Sequence, residues 1–168
     1  MNAQTELVTL RDTIELHRTV LQRIESAYSE FVATLPAELS ERQYHQGIVI
    51  ADYLEKYYTC LETLFLRVAQ HFENNLRAER WHHDLLDRMR IRIGPIRERV
   101  ISDDAYPLLV ELLKFRHFKR YYFDIRYDWD KLTFLMKKFS ELRAILPADL
   151  DRFVAFLDRL IAKVNDTD

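Results

Sequence analysis

The chain has 168 residues, 48% of them hydrophobic and 12% aromatic, enough to bury the core of one domain and too apolar for intrinsic disorder. Two glycines and four prolines leave few of the residues that tight turns require, which argues against a hairpin-rich sheet fold. A formal charge of −2 provides no global cationic field for nucleic acid.

From about Thr5 to Leu35, Leu7, Leu10, Ile14, Leu16, Leu21, Ile24, Tyr28, Phe31 and Val32 recur at spacings of three and four. That spacing predicts an amphipathic helix of roughly 30 residues, about 45 Å long. The opening MNAQTELVTLRD mixes acids with apolar residues and lacks the basic-then-apolar order of a secretory leader. No window approaches the roughly 18 uncharged apolar residues of a membrane span, so a cytoplasmic protein that does not cross a membrane is expected.

Pro36 closes the first helix, and a second apolar pattern runs from about Ser40 to Phe72 through Tyr53, Leu54, Tyr57, Cys60, Leu61, Leu64, Phe65 and Val68. Two long helices on a short link should pack antiparallel, with Gly47 weakening the start of the second. Cys60 is the single cysteine, so no intrachain disulfide forms, and it reads as a buried structural thiol.

After the polar stretch ENNLRAER, WHHDLLDRMRI predicts a short third helix, ended by Gly94 and Pro95 in the connector RIGPIRERV. His82 and His83, with Asp84 and His71 nearby, invite a metal reading. Adjacent histidines on a helix diverge by about 100°, however, and no HxxxH or HExxH spacing accompanies them, so no metal site is expected. Arg97 and Arg99 read as exposed loop arginines, with phosphate contact as the alternative.

Ser102, Asp103 and Asp104 offer caps for a fourth helix that tolerates Pro107 in its first turn and carries FRHFKRYYF. At about 100° per residue, Leu108, Leu112, Phe115, Phe118 and Tyr122 fall on one side, which should be core. Leu109 and Leu113 form a second stripe almost opposite, continued by Arg116, His117 and Arg120, with Tyr121 and Asp124 at its edge. A stripe apolar at one end and cationic at the other suits a subunit contact leading into an anion-binding cleft.

After Asp128 a helix runs through TFLMKKFSELRAI to Leu146, where Pro147 predicts a break or kink before a last helix, DLDRFVAFLDRLIAKV. Asp149, Asp151 and Asp158 should make a solvated face of that helix. With no repeats and no linker, residues 1–168 form one all-α antiparallel bundle of five to six helices.

Charge is partitioned along this chain. Residues 80–99 carry net +3 and residues 114–126 net +4, which against a total of −2 leaves −9 on the rest by difference. The bland explanation is that Lys and Arg near a helix C-terminus complement the macrodipole, worth about 0.3 to 1 kcal/mol each.

Four blocks give a more specific one: YLEKYYTCLETLFLRVA, WHHDLLDRM, IGPIRERVIS and LVELLKFRHFKRYYFDIRYDW. In order and spacing, over roughly Ala51 to Leu132, they resemble the HepT-like group of the HEPN superfamily. The resemblance implies a HEPN-type helical bundle with Trp81 anchoring its short third helix, a homodimer and a metal-independent endoribonuclease toxin, paired with a nucleotidyltransferase antitoxin and needing no cofactor. The superfamily signature is an Arg, four to six residues, then a His, often with a Tyr two positions later. Counted from Arg116 with four residues between, the His position holds Tyr121, and the position of the tyrosine that a partner adenylylates in related systems holds Phe123. Adenylylation would then have to fall on a neighbour such as Tyr122.

With Tyr121 at that position, the resemblance leaves Arg116 and Arg120 to hold phosphate and His117 as proton carrier. Imidazole titrates near neutrality, whereas a phenol at about pKa 10 does not. Two other readings stay open. One is a catalytically degenerate protein that binds RNA, a nucleotide or a nucleotidyltransferase; the other is a cationic strip that docks an acidic helix.

Overall fold

The computed structural model describes residues 3–73 and 81–165, apart from the side chains of Trp81, His83 and Asn165. Five α-helices follow in order: α1 (Ala3–Val32), α2 (Tyr44–Phe72), α3 (Trp81–Arg90), α4 (Ala105–Tyr121) and α5 (Trp129–Asn165), with a 3-10 turn at Leu39–Glu41. The described residues form an all-helical bundle.

Cross-helix pairs fix the directions. Tyr57 donates its hydroxyl proton to Glu25 at 2.8 Å, and Tyr53 packs against Tyr28 and Phe31, so positions rise along α1 as they fall along α2. Arg143 meets Ser29, Arg18 meets Asp151 and Arg11 meets Asp158, which sets α1 antiparallel to α5. α4 packs on α2 and α5, and α3 bridges α2 and α4. Short links enforce this alternation, because a chain with few residues to spare must turn back on itself.

The core follows the predicted stripes except at Leu16, which is 64% exposed. Phe139 of α5 receives the ring edges of Tyr28 and Tyr57 with centroids 4.9 and 4.7 Å away, so one side chain joins three helices. Cys60 is half-buried, and desolvation pushes its thiol pKa up, as befits a structural cysteine.

Several local expectations are corrected. α2 begins at Tyr44 rather than Ser40, because Gln43 and Gln46 cap it reciprocally, each side chain accepting the other's backbone N–H. Gly47 is buried where α2 meets α5: a Cβ there would lie 3.2 Å from Leu132 Cδ1, so the missing side chain allows close approach. Pro147 does not break the last helix, and α5 runs 37 residues through it. Proline removes one backbone donor, but it is exposed here, while Leu146 and Leu150 on either side are locked in the core.

Asp149 does not belong to a solvated face. It is 2% exposed and accepts from Ser102 N and Oγ at 2.7 and 2.8 Å, while Ser102 Oγ accepts the Ala105 N–H at 3.2 Å. The cap of α4 is thus Ser102 held by a carboxylate from α5, and the Asp104 side chain makes no capping bond. Asp151 and Asp158 are exposed and pair with α1 arginines.

The Leu109 and Leu113 stripe is likewise not a free face. Both are buried together with Leu108, Leu112 and Phe115, because α4 lies in a three-sided notch of α2, α3 and α5. A subunit contact through that stripe is therefore excluded. The side chain of Trp81, proposed as an anchor, and residues 74–80 of the polar stretch lie outside the described residues.

Candidate functional site

Three helices converge on one carboxylate. Glu62 of α2 is 4% exposed, in a helix whose other inward positions are apolar. A charge there costs several kcal/mol in desolvation unless it is paired. It is paired twice: Arg116 Nη1 of α4 bonds its Oε2, and His82 Nδ1 of α3 bonds its Oε1. The second bond places the His82 ring proton on Nδ1 whenever the ring is neutral.

Buried Tyr58 backs the cluster one turn earlier on α2, with the Arg116 guanidinium carbon 6.0 Å from its ring centroid. Burial first, then the Glu62 charge, pushes the Tyr58 hydroxyl pKa upward, so the phenol stays protonated.

His117 is exposed on α4, its ring centroid 5.5 Å from that of His82 at 77° between planes. Partial desolvation first, then the neighbouring His82 and Arg116, hold its imidazole below the usual 6.5. The ring is therefore neutral at pH 7 and free to accept a proton.

Of the residues named from sequence, the structure brings Arg116 and His117 to this cluster. Arg120 is exposed at the end of α4, with its guanidinium carbon 6.0 Å from the Tyr121 ring centroid, and Tyr121 is 73% exposed. Tyr122 donates its hydroxyl proton to the Arg126 carbonyl at 2.9 Å and stacks on Phe118 and Tyr127. Phe123, at the tyrosine position of the signature, is exposed and carries no hydroxyl.

Sequence reasoning missed Glu62 altogether and weighed His82 only as a metal ligand. An acid on the inward face of an apolar helix was the available signal. Among the described residues, no group of three or more His, Cys, Asp and Glu side chains is placed to hold a metal ion.

The cationic run is also less cationic than it reads. Lys114 pairs with Glu111 at 3.0 Å, Arg116 with Glu62, and Lys119 with Glu55 and, at 3.6 Å, Asp52. Arg120 and Arg126 have no carboxylate partner among the described residues.

The connector arginines divide. Arg97, expected in a solvated loop or on a phosphate, has a fully buried side chain. It donates to Glu73 Oε1 from Nε at 2.8 Å and to the carbonyls of Ile91, Glu98 and Arg88. Five donors on a planar fork let it tie the connector to α2 and α3, so it cannot contact a ligand. Arg99 is half-buried and lies 3.3 Å from Asp103.

Comparison with curated proteins and with solved structures returned no match. A family model described as HepT-like protein matches residues 49–157, which runs from early α2 through α3 and α4 into α5 and contains Glu62, His82, Arg116 and His117. No helix among the described residues is long and apolar enough to cross a membrane. A match over well over half the sequence, laid on an all-helical bundle, places this chain in the HepT-like family of HEPN-type proteins.

Proposed function

We propose that this protein is a metal-independent endoribonuclease of HepT-like type. It works as the toxin of a toxin–antitoxin pair, as a homodimer, with a nucleotidyltransferase as its partner. The observation that carries the reading is the convergence of His82, Arg116 and His117 around buried Glu62.

RNA can be cut without metal by its own ribose. The 2′-oxygen attacks the adjacent phosphorus, its proton passes to a base, and the 5′-oxygen leaves with a proton, giving a 2′,3′-cyclic phosphate and a 5′-hydroxyl. His117, held neutral, takes the first proton and, as imidazolium, returns one to the departing oxygen. Arg116, fixed by Glu62, and exposed Arg120 supply positive charge for the phosphorane. Tyr121 beside Arg120 contributes a hydrogen bond rather than a proton relay. Glu62 and His82 position the pair.

Purified protein should therefore cleave RNA in EDTA, and His117→Ala should abolish that cleavage. Cutting by His117→Ala at the native rate would remove this mechanism.

Tyr121 at the signature's His position, together with the neutralising pair between Arg116 and Glu62, favours a second reading. In it the cluster is structural and the protein binds RNA, a nucleotide or a nucleotidyltransferase without cleaving. Tyr121→His then gains cleavage that the native chain lacks, whereas cleavage by the native chain excludes it.

A further inference from the structure

Beyond α4 the chain makes a tightly closed turn. The Tyr122 hydroxyl donates to the Arg126 carbonyl at 2.9 Å, and Asp124 Oδ1 accepts the Arg126 N–H at 3.0 Å. The Tyr122 ring lies between Phe118 and Tyr127, with centroids 4.6 and 5.4 Å away, which pins the turn to the bundle. With Tyr122 facing in, its neighbours face out: Phe123 is 91% exposed, Tyr121 73% and Ile125 54%.

A phenylalanine held almost fully in water loses the transfer free energy that would fold it inward, and three exposed apolar side chains within five residues of one pinned turn suit an interaction site. Its surroundings choose among occupants. Arg120 and Arg126 flank these residues in the chain, and among the described residues neither pairs with a carboxylate. Facing a second copy across a twofold axis, the patch would set Arg120 and Arg126 against their own copies, with only the exposed Asp124 between them to offset two cations. A polyanion neutralises both arginines and, if unpaired, offers flat bases to the rings. A duplex keeps its base faces stacked inside and has none to give.

We infer that Tyr121, Phe123 and Ile125, flanked in the chain by Arg120 and Arg126, form a stacking platform for unpaired bases, so that the nucleic acid taken by this protein is single-stranded. The inference rests on the RNA-directed reading above and names the substrate form for it. The platform lies just past the C-terminal end of the helix that carries Arg116 and His117, so a strand stacked there continues toward the cluster with its backbone on Arg120.

The test uses the full chain and a fluorescent 2′-O-methyl oligonucleotide of about twelve nucleotides, which lacks the attacking hydroxyl and cannot be cut. The single strand should bind about tenfold more tightly than the same strand in a duplex, and Phe123→Ala, which touches no core, should weaken single-strand binding about tenfold. Arg126→Gln should flatten the dependence of affinity on salt. Equal affinity for strand and duplex, or unchanged binding by Phe123→Ala, overturns the platform. So does Phe123-dependent binding to anionic phospholipid vesicles, or conversion of a dimer to a monomer by Phe123→Ala in sedimentation. If the uncleavable strand binds as described while ordinary RNA is not cut, the platform stands and the catalytic reading falls. If RNA is cut but Phe123→Ala binds as the native chain does, the reverse holds.

Discussion

Arg116 of α4 donates to the buried carboxylate of Glu62, 54 residues earlier on α2, and that carboxylate is shared with His82 of α3. One acid thereby decides the rotamers of two side chains from two other helices. Removing it leaves a cation and an imidazole beside an apolar wall. Glu62→Gln should lose about 3 kcal/mol of stability in denaturant melts, as expected when one partner of a buried pair is deleted. Under conditions where the variant remains folded, RNA cleavage should fall at least tenfold, with kcat affected more than KM. A variant with native stability and native kcat would show that Glu62 positions nothing.

The acid limb of the pH–rate profile should have its midpoint below 6.5. Desolvation and the neighbouring His82 and Arg116 lower the His117 pKa in the folded chain, so the neutral, proton-accepting ring persists to lower pH than in a free imidazole. The same shift has a stability consequence of fixed sign. The unfolded chain binds the proton more readily, so His117 costs stability as pH falls through 6.5 and has no such effect above it. Replacing His117 with Asn should flatten that part of the stability curve, and a profile with its acid limb above 6.5 would count against His117 as the base.

Leu109→Ala tests whether the second leucine stripe of α4 belongs to the core or to a subunit contact. Leu109 is fully buried within one chain. A loss of about 2 to 5 kcal/mol is expected, with a Tm decrease that is the same at low and high protein concentration. A decrease that shrinks as concentration rises would return the stripe to an interface.

Arg97→Ala separates an architectural arginine from a ligand-binding one. Its buried guanidinium serves Glu73 and three carbonyls, although Arg88 also bonds Glu73 at 2.8 Å and keeps that acid from being stranded. About 3 kcal/mol of destabilisation is expected, with the salt dependence of RNA binding unchanged. A shallower salt slope would mean that Arg97 reaches phosphate after all.

Apolar spacing located the helices, although Pro147 made two of α5, and the order of four sequence blocks identified the family, because helix periodicity and block spacing are properties of neighbouring residues. Pairing is not a local property. Lys114, Arg116 and Lys119 read as one cationic field in the chain, yet each meets an acid, two of them on α2. Arg97 and Asp149 read as surface charges, yet each is buried because a distant segment supplies its partner. The Leu109 stripe looked unpartnered on a single helix wheel and is covered once α2, α3 and α5 close around it. By itself the sequence determined which segments coil and what family they make. Only the tertiary structure decided which charges cancel and that His82 and His117 stand side by side, since partners 20 to 54 residues apart meet only after the helices have packed.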